Sequence, residues 1–232
     1  TTLDTDLKGY VSRDGGTTYT QTPLALDSSI THPTSLLLHC DGSNGGTTFT
    51  DSSFWAHTPT VAGNTHTDTA VKKLGTASAQ FDGTGDYLDY ASSPAFGFGT
   101  GDWTIDFWIY ASASGFGTFA IPFDFRTDGN SVGSPYLFFD TGNSNIPGFT
   151  EGSGTTRCSS NVALSNETWY HIAVVKSSNV TKVYTNGVTG ASGTYATEFA
   201  DTVDYKTTNP LRLGHTTSGS YALNGYLDEF RI

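Results

Sequence analysis

The segment from Asp102 to Tyr110 restricts the fold of this chain more than any other stretch. Aromatic and β-branched residues dominate it, and a period of two would place one set of apolar side chains on a single face of an extended strand: Trp103, Ile105, Phe107 and Ile109. The opposite face would carry Trp108 and Tyr110 beside Thr104 and Asp106. Large rings on both faces predict a strand in the middle of a sheet, between a core and a second layer or loop cover.

Composition favours many short strands joined by tight turns. The 232 residues include 27 Gly and 8 Pro, only 14% are charged, and no segment of ten residues has clean helical periodicity. That length is ordinary for one all-β sandwich. The formal charge of −11, without a Lys/Arg cluster, disfavours nucleic-acid binding. Since no run of about 18 apolar residues occurs, no membrane span is expected.

The chain divides into an N-terminal arm, residues 1–34, and a compact domain, residues 35–232. In the arm, Asp14-Gly15-Gly16 lies between two alternating segments, 7–13 and 17–21, which predicts a β-hairpin followed by a polar linker over 27–35. In the domain, residues 141–161 are rich in Gly, Ser and Asn, which predicts a partly mobile segment without a strand. The predicted strands are 36–40, 49–53, 77–81, 86–90, 102–110, 119–126, 136–140, 169–176, 181–185, 211–214 and 226–232.

Short strands at intervals of about 8–12 residues indicate a sandwich or a barrel. Asn186-Gly187 after the segment 181–185 predicts a type I′ turn, because both turn positions need a positive φ. Cys40 ends an apolar segment and is expected to be a small buried side chain, while Cys158 lies in a polar context. A disulfide between them is the less favoured alternative.

Several blocks of the domain resemble the laminin-G-like jelly rolls of the concanavalin A-like family. They occur in family order over residues 35–232, and Cys40 departs from the family by standing where an aromatic residue is usual. The resemblance implies an all-β fold, a two-sheet antiparallel β-sandwich preceded here by the short hairpin arm. The blocks are Leu36–Gly42, Ala79–Tyr87, Gly101–Tyr110, Trp169–Gly187 and Leu223–Ile232.

The arm segment Asp6–Thr20 resembles a segment of structural proteins from tailed bacteriophages. This resemblance implies a non-enzymatic component of the virion surface, such as a tail fibre, spike or decoration protein. Other virion subunits, further copies of the chain and a host glycan would be its partners. The chain contains no Met, so we expect it to be part of a longer polypeptide. A carbohydrate-binding module of a secreted bacterial protein is the alternative, and a divergent glycanase is the second alternative.

Catalysis is not expected. Glycoside hydrolysis needs two carboxylates about 5–9 Å apart, and enzymes of the resembled fold place theirs in a Glu-x-Asp-x-x-Glu motif that is absent here. Asp228 and Glu229 are adjacent and would face opposite sides of a strand. The same holds for His39 and Cys40, so no Cys–His nucleophile is expected. His171 is interpreted as a packed or hydrogen-bonded strand residue.

Two kinds of binding site remain as hypotheses. Many laminin-G-like domains carry a structural Ca²⁺, and the resemblance implies Asp41, Asp51 and Asp228 as its ligands, Ca²⁺ being a cation that takes hard oxygen donors. Alternatively, these residues form Asx turns and cap the last strand. Glycan binding would use loop aromatics, of which Trp55, Tyr136 and Tyr221 are the candidates, with Phe116 and Phe149 in similar contexts. Each could instead cover an edge of the sandwich.

Overall fold

The computed structural model describes residues 9–11, 20–22, 34–117, 119–127, 129–205, 210–216 and 221–232. Two compact units are present, residues 1–33 and residues 34–232. In the first unit, β1 (Gly9–Val11) pairs antiparallel with β2 (Thr20–Thr22). The predicted Asp14-Gly15-Gly16 turn and most of the predicted linker lie outside the described residues.

The second unit is a sandwich of two antiparallel sheets, as predicted. Its strands are β3 (Leu37–Leu38), β4 (Thr60–Ala62), β5 (His66–Asp68), β6 (Ser78–Asp82), β7 (Tyr87–Tyr90), β8 (Trp103–Ala111), β9 (Phe123–Asp124), β10 (Tyr136–Asp140), β11 (Ile146–Thr150), β12 (Cys158–Ser159), β13 (Trp169–Ser177), β14 (Val180–Thr185), β15 (Glu198–Ala200), β16 (Leu211–Leu213) and β17 (Asn224–Arg231). Two 3₁₀ helices cover Pro94–Phe96 and Thr141–Asn143.

The larger sheet has the strand order β15-β14-β13-β8-β17-β6-β5, and β3 also pairs with β17. The smaller sheet has the order β12-β11-β10-β9-β16-β7-β4. Strands that are distant in sequence are therefore neighbours in both sheets. No helix among the described residues has the length and apolarity needed to span a bilayer.

The central position predicted for the segment 102–110 is confirmed, because β8 lies between β13 and β17. Its predicted inner face is also confirmed, since Trp103, Ile105, Phe107 and Ile109 all belong to the core between the sheets. The outer face differs from the prediction of burial on both sides. Thr104 there is exposed, and Trp108 is only half-buried, with the ammonium of Lys73 lying 4.2 Å from its ring centroid.

The prediction that residues 141–161 contain no strand is wrong, because this stretch contains β11 and β12. Strand β11 pairs with β10 in the register Phe138↔Gly148 and forms one end of the smaller sheet together with β12. Tertiary pairing thus overrides a composition rich in Gly and Ser. Cys158 lies in β12 and is fully buried, and both Cys40 and Cys158 are free thiols.

Two tight turns flank β14. Asn186 and Gly187 both have positive φ and are closed by the Thr185↔Val188 bridge, as the Asn-Gly pair predicts. The hairpin that joins β13 to β14 uses Ser178 and Asn179, which also have positive φ. This second turn contains no glycine, so the sequence gives only a weak signal for it.

Candidate functional site

The outer face of the smaller sheet carries a concave site, here called the aromatic pocket. Its volume is about 250 Å³, and its lining combines aromatic rings with a few polar groups: Phe119, Ile121, Arg126, Tyr136, Phe138, Gly154, Thr156, Tyr195 and Tyr221. Among the described residues, no carboxylate belongs to this lining. Apolar walls with few, well-placed polar groups are typical of small-ligand sites.

Alternation along β10 places two of these rings. Leu137 and Phe139 point into the core of the sandwich, whereas Tyr136 and Phe138 form a separate small cluster with Ile121. The neighbouring position on β11 is Gly148, where an added Cβ would lie 2.5 Å from Cζ of Phe138. The end of the Phe138 ring therefore occupies the space that a side chain at position 148 would fill.

Arg126 forms the polar wall of the pocket. Its Nε and Nη2 donate to the two carboxylate oxygens of Asp124, each at 2.8 Å, and its Nη1 donates to Asn130 at 3.1 Å. Its Cζ lies 3.5 Å from the ring centroid of Tyr136. Asp124 is fully buried, so the guanidinium is held in one place by a buried ion pair and by stacking.

The segment 151–157 completes this wall. Arg157 donates two hydrogen bonds to the buried carboxylate of Glu151, and although burial opposes ionisation, these bonds hold the pKa of Glu151 below its usual value. Gly152 and Gly154 have positive φ, and a Cβ at Gly154 would lie 2.3 Å from the Asn130 amide. The segment thus approaches the loop after Arg126 closely because it has glycine at these positions.

The mouth of the pocket has exposed rings and neutral hydroxyl groups. Phe119 and Tyr221 are 40% and 39% exposed, and their ring centroids lie 5.8 Å apart in an edge-to-face arrangement. Tyr195 donates its hydroxyl to Asp140, and burial together with this bond raises the pKa of Tyr195 to about 12. The pocket therefore offers apolar ring faces beside uncharged hydrogen-bonding groups.

The structure brings together two of the three aromatic residues predicted to bind a glycan. Tyr136 and Tyr221 line the same pocket, but Tyr136 is largely buried beneath Arg126. Phe116 and Phe149, which the sequence places in loops, are fully buried in the core of the sandwich. The sequence does not indicate Phe119 as a binding residue, because it begins a predicted strand and no motif surrounds it.

Trp55 lies outside this pocket on a separate loop. Its ring stacks parallel to His57, with centroids 6.3 Å apart, and meets Phe54 edge to face. Asp51 holds this loop, because its Oδ1 accepts hydrogen bonds from the N–H groups of Leu37 and Ser53 and its Oδ2 accepts them from Ser53 Oγ and His57 N–H. Trp55 is thus exposed on a rigid turn.

The three predicted calcium ligands do not form one set in the chain as it stands. Both carboxylate oxygens of Asp51 already accept hydrogen bonds from Leu37 and the Trp55 loop. Asp41 accepts hydrogen bonds from the backbone N–H and the hydroxyl of Thr76. Asp228 is fully buried; its Oδ2 accepts from the N–H groups of Lys73 and Leu74, and its Oδ1 has no hydrogen-bond partner among the described residues. No cluster of three or more His, Cys, Asp or Glu side chains suited to a metal ion occurs in the described part of the chain. Calcium binding therefore stays a prediction, with Asp228 as the residue that best fits it.

A second, smaller groove of about 210 Å³ lies on the outer face of the larger sheet. It contains two carboxylates, those of Asp106 and Glu229. Arg231 binds Asp106 through both carboxylate oxygens, and His171 Nε2 lies 3.3 Å from its Oδ1, as expected for a hydrogen-bonded strand histidine. Although burial opposes ionisation, these bonds hold the pKa of Asp106 below its usual value, which does not suit a general acid.

The two-sheet jelly roll is an architecture found in lectin domains. Residues 82–232, more than half of the chain, match the family model described as the Concanavalin A-like lectin/glucanases superfamily. The chain belongs to this superfamily. No curated protein sequence matches it.

Solved structures of similar fold include domain 4 of AbnA, a GH43 extracellular arabinanase from Geobacillus stearothermophilus, in complex with arabinotriose. The identity is 15% and the TM-score 0.58, over 85% of this chain and 90% of that chain. The binding domain of botulinum neurotoxin DC is similar in its complex with rat synaptotagmin II, at 10% identity and TM-score 0.56. The same domain in complex with SialylT gives 10% and 0.53. This chain is covered to 86% in both cases but spans only 48% and 47% of those chains. These likenesses show a shared fold.

Proposed function

We propose that the unit 34–232 is a non-catalytic carbohydrate-binding module and that the aromatic pocket is its binding site. The observation that carries this proposal is the exposed pair Phe119 and Tyr221 at the mouth of a pocket whose polar wall, Arg126, is already fixed. Sugars present apolar C–H faces beside hydroxyl groups, and exposed rings next to preordered polar groups complement both.

The comparisons support this function at the level of fold. One similar domain, matched over 90% of its length, was solved in complex with arabinotriose, so a domain of this fold occurs with a bound saccharide in another protein. The aromatic pocket favours binding over hydrolysis, because no carboxylate is found among its described lining residues, whereas glycoside hydrolysis needs two.

A divergent glycanase is the second candidate, and the smaller groove favours it by containing Asp106 and Glu229. Both carboxylates are engaged, Asp106 by Arg231 and His171 and Glu229 by His39 at 2.9 Å. The groove therefore lacks a carboxyl group that is set up to donate a proton. Incubation of the chain with the glycans it binds, followed by chromatography, tests this candidate directly.

The module is proposed to act on the surface of a bacteriophage virion, outside the cell, in a tail fibre, spike or decoration protein that attaches to a host glycan. Support comes from the resemblance of the arm and from the antiparallel pairing of residues 9–11 with 20–22. A two-stranded hairpin alone is marginally stable in water, and strand addition to a second copy or another virion subunit would stabilise it. Light scattering on the full chain should give a homo-oligomer, and a monomer at all concentrations would contradict this assembly.

The binding function is tested by applying the labelled full chain to a glycan array and measuring the hits by calorimetry. Binding that is lost in the double variant Phe119→Ala/Tyr221→Ala supports the proposal. Binding that survives in this variant would place the site elsewhere, and the absence of any hit would remove the proposed function.

A further inference from the structure

Charge is absent from most of the aromatic pocket. Among its described lining residues Arg126 carries the only formal charge, and Asp124 lies directly behind it. Resting on the carbohydrate-binding function proposed above, we infer that the pocket selects a single uncharged sugar unit and discriminates against acidic sugars.

The ion pair is the first reason. Asp124 takes up both guanidinium N–H groups that face it, each at 2.8 Å, and its side chain is fully buried. A carboxylate or sulfate on a sugar would compete for the same guanidinium. Drawing Arg126 away would leave the buried carboxylate of Asp124 without its cation, which is unfavourable in a low-dielectric environment.

The remaining polar groups are hydroxyls. Tyr195 donates its proton to Asp140 at 2.5 Å and its oxygen takes a side-chain hydrogen bond from Thr156, which leaves one further lone pair on that oxygen to accept a hydrogen bond. A sugar hydroxyl can donate to such an oxygen, whereas a carboxylate cannot. The net charge of −11 further repels an acidic ligand at long range.

The size of the pocket restricts the ligand to one sugar unit. Pockets for drug-sized ligands measure roughly 300–1,000 Å³, and this one measures about 250 Å³. Phe119 and Tyr221 stand at its mouth and would contact the ring that enters. Recognition of a chain end or a branch fits this shape better than recognition of a long polysaccharide lying along the sheet.

The test compares matched glycans on the full chain. An array that pairs neutral saccharides with their uronic acid and sulfated derivatives gives the best neutral hit, and calorimetry then compares that saccharide with its own acidic derivative. We expect the acidic derivative to bind about tenfold more weakly or worse. The variant Asp124→Asn frees the charge of Arg126, so its ratio of acidic to neutral affinity should rise by about tenfold, and this gain should fall with added salt.

The outcomes separate this inference from the function on which it rests. Acidic glycans that bind as tightly as their neutral partners, or more tightly, would overturn the selectivity and leave carbohydrate binding intact. Failure of both classes to bind would remove the function and the selectivity together. If Asp124→Asn does not fold, the wild-type chain still decides, because calorimetry on the neutral saccharide and its own acidic derivative measures the selectivity directly.

Discussion

The guanidinium of Arg126 lies over the ring of Tyr136, with 3.5 Å between Cζ and the ring centroid. This stack covers the face of Tyr136 that a ligand would otherwise use, and Tyr136 is accordingly buried. Phe119 and Tyr221 are more exposed, so their rings are the ones that can stack on a sugar. Tyr136 has the role of supporting the polar wall.

The exposed rings give the first prediction. Truncation by Phe119→Ala or Tyr221→Ala should weaken glycan binding by about 0.5–1.5 kcal/mol each, which is roughly twofold to tenfold. Trp55→Ala is a matched control, because Trp55 is equally exposed at 40% but lies outside the pocket. Calorimetry on the three variants distinguishes the sites, and a loss confined to Trp55→Ala would assign binding to the Trp55 loop.

Gly148 gives a prediction about the floor of the pocket. Gly148→Ala would bring a Cβ to 2.5 Å from Phe138 and displace its ring, at a cost of about 1–3 kcal/mol in the free energy of unfolding. Gly101→Ala is the control, because its added Cβ would lie 3.7 Å from the nearest atom, the carbonyl oxygen of Phe98, which is an ordinary contact distance. Urea unfolding of both variants measures the difference, and equal stabilities would mean that Phe138 adapts without strain.

A buried ammonium gives a third prediction. Lys176 is completely buried, donates to the carbonyl of Val203 at 3.1 Å and lies 3.7 Å from Asp201. Lys176→Met would leave Asp201 without its cation, and the free energy of unfolding should fall by about 3 kcal/mol. Lys182→Met removes a surface ion pair with Glu198 and should have little effect. A similar small loss in both variants would show that the hydrogen bonds from the hydroxyls of Thr181 and Tyr205 and from the N–H of Val203 are enough to stabilise the Asp201 carboxylate.

Asp228 makes stability depend on pH. Burial raises its pKa to about 6, so the folded state favours the protonated form. The stabilisation is complete below the ordinary pKa of an aspartate and is lost as the pH rises through 6. Since one pKa unit corresponds to about 1.4 kcal/mol, wild type should lose on the order of 3 kcal/mol relative to Asp228→Asn between pH 4 and pH 7. Urea unfolding across this range measures the difference, and a difference independent of pH would contradict the assignment.

The calcium hypothesis is tested by adding and removing the ion. If Asp228 binds Ca²⁺, its unpaired Oδ1 is the first donor, and Ca²⁺ at about 100 times its Kd should stabilise the chain by about 2.7 kcal/mol. EGTA should reverse the rise in the unfolding midpoint, Asp228→Asn should abolish it, and Trp55→Ala should preserve it. An unfolding midpoint that does not change when Ca²⁺ is added would contradict the hypothesis.

The sequence predicts the centre of the fold better than its edges. β8 and β13 have strong alternation because one face of each lies against the core, and their pairing buries Ile105 against Val174. By contrast, β11 and β12 carry Gly, Pro and Ser, so only their partners in the sheet define them. The site is harder still to predict, since tertiary packing brings together three separate segments, one with Phe119 and Arg126, one with Tyr195 and one with Tyr221.

The position of β17 has a consequence for folding. This strand joins β8 to β6 and also pairs with β3, and the N–H of Ser35 donates to the carbonyl of Ile232 at 2.7 Å. During synthesis the larger sheet would remain split until residues 224–231 leave the ribosome, with the edges of β6 and β8 exposed. Folding should therefore be slow and concerted, and nascent chains that stop before residue 224 should need protection from aggregation.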